Sequence, residues 1–166
     1  LDIKTGQGAF MKSRKDARKL AKSLTQTGLR FNKNIVTIIS DMSQPLGSTV
    51  GHSLEIIECV EILKGKGPKD LLKLSLELTG AMIYLAGKAP NLNKGVLMAK
   101  KALKEGKGLE KFKELIIAQG GVPDFIYDYS LLPVAKCKTE VKAEKTCYLS
   151  KINTKEVGLL CLELKG

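Results

Sequence analysis

Tryptophan is absent from the 166 residues, and aromatic residues make up only 5% of them. Any core must therefore be aliphatic. Histidine occurs once, at His52, and the four cysteines (Cys59, Cys137, Cys147 and Cys161) include no C-x-x-C pair. A structural zinc site needs clustered nitrogen and sulfur ligands, so zinc is not expected. The cysteines have aliphatic or strand-like neighbours and read as free, buried thiols in a reducing cytoplasm. No apolar run reaches the roughly 20 residues of a membrane-spanning helix, so no membrane partner is expected. The start lacks the basic-then-apolar order of a signal peptide. It also lacks an initiator methionine. Leu1-Asp2-Ile3 reads like the inside of a strand, so the chain is expected to begin within a longer protein.

Hydrophobic residues are plentiful at 43%, enough for the core of one ordinary soluble domain. The formal net charge is +11. Such a balance raises the question of nucleic acid. The lysines, however, are spread over presumptive helix surfaces (Lys12, Lys15, Lys19 and Lys22, then Lys100, Lys101, Lys104, Lys107, Lys111 and Lys113) with no aromatics between them. A solvated basic surface is the plainer reading, and nucleic acid is not the expected partner. The positive field would still favour phosphate or a phosphorylated sugar. A basic α/β module binding nucleic acid or protein is kept as the competing class of function.

Residues 1–5 alternate like a short strand, and Gly6-Gln7-Gly8 turns the chain. Ser13 is placed to cap a helix with Asp16 three residues on. That helix carries Ala17, Leu20, Ala21 and Leu24 on one face and is expected to end at Gly28. Residues 34–40, NIVTIIS, form a β-branched run expected to be a strand buried on both faces. Strand, helix, strand predicts a parallel α/β unit, with Asp41 at the carboxyl edge where such sheets place their sites. A polar loop spans 41–53. Helices are expected over Ser53–Lys64 (Ile56, Val60 and Leu63 inward), from Pro68 to about Ala86 (Leu71, Leu74, Leu78, Met82 and Leu85 inward), from Asn91 or Asn93 (Val96, Ala99, Ala102 and Leu103 inward) and over Leu109–Gln119 (Phe112, Leu115 and Ile116 inward). After Pro133, Val134–Val141 and Thr146–Ile152 read as strands, and Asn153 as the cap of a short helix to Leu162. Asp2, Asp41, Glu55 and His52 are the ionisable candidates on or near the loops. His52 has no nucleophile context and reads as structural or solvent-exposed.

Three strings are long and uncommon: DIKTGQGAFM (2–11), SDMSQPLGSTVGHSLEIIE (40–58) and LKGKGPKDL (63–71). With the looser AQGGVPDFI (118–126), they resemble the pyrimidine nucleoside phosphorylase (thymidine phosphorylase) family in order and spacing, along essentially the whole chain. The departures are Gln7 for a common Ser, His52 for Asn, and Thr146-Cys147-Tyr148-Leu149 for Ser-Gly-Tyr-Val.

The resemblance implies an α/β fragment of a larger two-domain enzyme, with a partly parallel sheet, flanking helices and a β-richer C-terminal portion. Residues 1–133 would belong to the large α/β domain and 134–166 would start an α+β portion. The implied activity is transfer of a pentosyl group from a pyrimidine nucleoside to inorganic phosphate, in a cytoplasmic enzyme that is a homodimer at full length. Phe10 would sit against the base. Potassium would be held between the 41–53 loop and an upstream one, by the backbone carbonyls of Leu46 and Thr49 and the carboxylate of Glu58, and would be weak or absent in the chain alone, where the other ligands are missing. The family's phosphate loop and its Arg–Ser–Lys base cluster have no counterpart in these residues, so the chain alone is expected to be catalytically incomplete.

Overall fold

Strands β1 (Asp2–Thr5) and β2 (Ile38–Asp41) lie side by side and parallel, with Asp2 opposite Ile38 and Thr5 opposite Asp41. Helix α1 (Arg14–Arg30) is the crossover between them and packs on both. This computed structural model describes residues 1–164. Ser13 caps α1 as the sequence suggests: its Oγ accepts the Asp16 N–H at 3.1 Å and donates to the Asp16 carboxylate at 2.7 Å. Ala17 on the sheet-facing side is fully buried.

Two expectations for this unit need correction. Helix α1 runs past Gly28 to Arg30, and the left-handed residue is Asn32, at φ 56°. Gly28 serves a different need, because a Cβ there would lie 1.9 Å from Ile35 Cδ1. Strand β2 is also shorter than the β-branched run, and Ser40 is its one buried residue. With only the four-residue β1 beside it, no ladder extends back to Asn34, and extended backbone without a partner is not a strand.

Four helices follow: α2 (His52–Leu63), α3 (Lys69–Leu85), α4 (Leu92–Lys104) and α5 (Lys107–Ala118). Asn91, not Asn93, caps α4, accepting the Lys94 N–H at 3.0 Å. Helices α3 and α4 meet backbone to backbone: a Cβ on Gly95 would lie 2.2 Å from the Gly80 carbonyl oxygen. Because α3 turns Gly80 and Ala81 inward, Met82 falls on the outside and is 62% exposed, against expectation. Leu115 on α5 is likewise exposed, as is Leu24 on α1.

Single 3₁₀ turns at Pro123–Ile126 and Tyr129–Leu131 close the helical layer, and Ile126 and Val60 are its fully buried large residues. Lys64, just past α2, donates to the Ile126 carbonyl at 2.7 Å and to the Tyr129 hydroxyl at 3.0 Å. The Tyr129 hydroxyl in turn donates to Glu61.

The β-richer C-terminal portion is not observed: Val134–Val141 and Thr146–Ile152 have strand-like alternation but form no strand among the described residues. Val141 and Tyr148 are almost wholly exposed, with no neighbouring strand to receive their backbone bonds. Helix α6 (Thr154–Glu163) is present, capped by Asn153. It returns the chain to the sheet's carboxyl edge, where Thr154 crowds Gly8 and Cys161 faces Gly51. The cysteines are free, as expected, but Cys59, Cys137 and Cys147 are exposed. Cys137 and Cys147 fall in the unpaired stretch and Cys59 on the open side of α2. No helix among the described residues is long and apolar enough to cross a membrane. The basic surface is partly neutralised locally by pairs such as Lys107–Glu105 and Lys113–Glu110.

Candidate active-site wall

Both strands deliver loops to the same carboxyl edge, and backbone hydrogen bonds join the loops. Met42 N–H donates to the Thr5 carbonyl at 2.7 Å, Gly8 N–H to the Met42 carbonyl at 3.0 Å, and Gly6 N–H to the Met11 carbonyl at 3.0 Å. Gly6 has φ 116°, and a Cβ on it would lie 2.7 Å from the Ser43 amide nitrogen. The turn after β1 and the loop after β2 thus form one surface, and glycine is what permits their approach.

The 41–51 loop is held from two helices by carboxylates on consecutive amides. Ser48 N–H donates to Glu58 Oε1 of α2 at 2.8 Å, and Gly47 N–H donates to Asp70 Oδ2 of α3 at 3.1 Å. Glu58 is only 8% exposed. The Gly47 amide, followed by the amides of Leu71 and Asp70 at the start of α3, holds the Asp70 carboxyl below its ordinary range. A cavity of about 490 Å³ opens here, lined by Ser48, Thr49, Leu54, Ile57 and Glu58 among others.

Thr49 and Glu58 both line this cavity, whereas Leu46, in the same loop, does not. Two features fit a cation. Thr49 Oγ1 is buried without a hydrogen-bond partner, and Glu58 brings a single buried carboxylate beside the same loop. Among the described residues no three His, Cys, Asp or Glu side chains gather as a metal site. One carboxylate with neutral oxygens suits a singly charged ion better than a divalent one.

Phe10 stands apart from that cavity. It is 98% exposed on the Gly6–Met11 turn. His52 is exposed at the first turn of α2. The other carboxylates do not converge. Asp2 accepts from Ser40 Oγ and pairs with Lys4; partial burial pushes its carboxyl up, but those two partners together bring it below the usual range. Asp41 accepts from the Ser43 hydroxyl, then from the Ser43 amide, and these hold its carboxyl low. Glu55 receives the Gly51 N–H at 3.1 Å. Sequence reasoning missed Asp70, since an acidic residue in a helix's first turn reads as charge compensation for the helix end. It also missed Glu61–Tyr129–Lys64, because Tyr129 lies more than sixty residues from the other two.

No protein-family model matches the chain. A pyrimidine-nucleoside phosphorylase of Geobacillus stearothermophilus is 44% identical over 164 residues, which is 99% of this chain and 38% of the relative. Proteins of the same name from Staphylococcus epidermidis (strain ATCC 12228) and Bacillus subtilis (strain 168) are 43% and 42% identical over the same shares. The chain thus spans 38% of the length of these relatives. Over nearly all its own length, this α/β chain is the homologue of one part of the pyrimidine-nucleoside phosphorylases.

Proposed function

We propose that the chain supplies one wall of the nucleoside cleft in a pentosyltransferase that converts a pyrimidine nucleoside and inorganic phosphate to free base and pentose 1-phosphate. The observation that carries this reading is the union of the Gly6–Met11 turn and the 41–51 loop at one sheet edge, through the Gly8–Met42 hydrogen bond. Both lie within strings that resemble the family.

In the proposed reaction a phosphate oxygen attacks the anomeric carbon of the pentose. The bond from that carbon to the base nitrogen breaks, its electron pair leaves with the base, and the base then takes up a proton. Catalysis rests on positioning and on stabilising the departing anion. The exposed Phe10 ring offers an apolar face to the base once the opposing wall is in place. A potassium ion bound by the carbonyls of Leu46 and Thr49 and by Glu58 would supply positive charge that braces the loop. On this reading residues 1–133 would belong to the large domain and 134–166 would begin the C-terminal portion. The phosphate and base-anion sites belong, on this reading, to the part of the relatives that the chain does not match, so the chain alone is catalytically incomplete. The family resemblance extends the reading to a cytoplasmic, homodimeric salvage enzyme.

A hybrid tests it. This chain replaces the matched portion of the Geobacillus stearothermophilus relative, and base release from uridine or thymidine is followed with and without phosphate. Phosphate-dependent release by the hybrid, with none from the isolated chain, supports the reading. A folded hybrid that releases no base, or saturable phosphorolysis by the chain alone, counts against it.

A further inference from the structure

We propose that the basic opening turns of α1 gather the phosphate dianion at the rim of the candidate wall. The inference rests on the reading above, in which inorganic phosphate is a substrate. The attraction acts through the field over an exposed face rather than through a contact.

Lys12, Arg14, Lys15, Arg18 and Lys19 are all exposed and fall within eight residues. Against them stand Asp16 and, at the sheet edge, Asp41, which leaves a local excess of three positive charges. Among the described residues the one ion pair in this stretch is Lys19–Asp16, at 3.4 Å, and Arg14, Lys15 and Arg18 make none.

Two penalties attach to this arrangement. The N-terminal end of a helix carries partial positive charge and disfavours cations. Arg14–Arg18, Lys15–Arg18 and Lys15–Lys19 are also like-charge neighbours three or four residues apart, which repel. Helix α5 is built the other way, with Lys111–Glu114 and Lys113–Glu110 pairing opposite signs three residues apart. Helix α4 carries Lys101 and Lys104 in its last turn, where the helix dipole favours them. Folding alone therefore gains nothing from the cations that open α1, whereas a nearby anion does.

The stretch stands beside the wall. Lys12 donates to the Gln7 carbonyl of the Gly6–Met11 turn at 2.8 Å. Asp41, at the carboxyl end of β2, is held low first by the Ser43 hydroxyl and amide, and further by the charge of Arg14. At about 1.5 Å per residue, Lys19 lies about 8 Å along α1 from Arg14. That is one screening length at physiological salt, so the five cations act together at the rim. Arg30, about 24 Å along the same helix, is screened from it.

The test compares two double variants of the hybrid enzyme. K15E/R18E reverses charge at the opening of α1, and R30E/K33E makes the same change in net charge at its far end. Four units of charge acting on a dianion about 10 Å away should raise KM for phosphate roughly fivefold at about 0.15 M ionic strength. The effect should grow at lower salt and vanish near about 1 M. KM for uridine, which is uncharged, should not move, and R30E/K33E should leave both constants as they were. In the isolated chain K15E/R18E should raise the melting temperature, because it relieves both penalties. A phosphate KM that K15E/R18E leaves unchanged, that both variants shift equally, or whose shift persists at high salt overturns the inference while leaving the phosphorylase reading intact. A fall in melting temperature would make the cations structural and overturn it as well. A folded hybrid that releases no base overturns that reading, and the inference with it.

Discussion

Glu58 Oε2 lies against the α-carbon of Gly47, so that a Cβ built there would stand only 2.2 Å from it. The other oxygen of the same carboxylate holds the Ser48 amide. Position 47 therefore meets two demands together: a left-handed backbone and room for a carboxylate. This contact makes the loop and the body of α2 one unit, and it fixes the wall proposed for the cleft.

Gly47→Ala should fail on both counts. Overpacking costs about 1–3 kcal/mol, and the left-handed conformation adds roughly 1–2 kcal/mol. The urea midpoint should fall accordingly, and the Ser48 amide should exchange faster. An unchanged midpoint would show that the loop is free to move off Glu58.

The meeting of α3 and α4 leaves no room for a side chain at Gly95. Gly95→Ala should destabilise the chain by roughly 1–3 kcal/mol or separate the helices. Gly158 in α6 is the contrasting case, with nothing within 4 Å of its would-be Cβ. Gly158→Ala should stabilise α6 by up to about 1 kcal/mol. Thermal denaturation of both variants checks the pair, and similar shifts of the same sign would contradict the packing described.

The Glu61–Tyr129–Lys64 cluster predicts a pH window. The Tyr129 hydroxyl holds the Glu61 carboxyl below its ordinary 4.5. A depressed folded value means a contribution present above 4.5 and lost as pH falls through the folded value. Lys64 is held above its ordinary 10.5, first by the Tyr129 hydroxyl, so its contribution is present below 10.5 and lost as pH rises beyond it. Tyr129→Phe should therefore cost about 1 kcal/mol at neutral pH and reduce the steepness of acid unfolding. Identical acid limbs for Tyr129→Phe and wild type would rule out the coupling.

Phe10→Ala separates folding from binding. The ring is 98% exposed, so the melting temperature of the chain should not change. In the hybrid enzyme the same substitution should raise KM for uridine roughly tenfold, about 1.4 kcal/mol of lost binding. A drop in melting temperature, or an unaltered KM, would remove Phe10 from the base site.

What the sequence disclosed was mainly local. Ser13, Asn91 and Asn153 cap the helices they precede because the bond runs only three residues along the chain. The α/β character and the place of Asp41 at a strand's carboxyl end were equally legible. Pairing was not. Val134–Val141 alternates like a strand, but alternation states a capacity, and no second strand lies beside it among the described residues. Met82 sits on an apolar period yet faces outward, because the two glycines at the α3–α4 contact set the rotation of α3. In the candidate site, the resemblance directed attention to the loop that Glu58 holds. Asp70 was not legible, because its partner lies 23 residues away in a loop whose course no periodicity reveals.

The most direct measurement is ³¹P NMR of the hybrid supplied with uridine and inorganic phosphate. The account predicts a pentose 1-phosphate resonance growing in step with released uracil, and neither product when phosphate is omitted. A folded hybrid that yields uracil and free ribose, or no product at all, would contradict it.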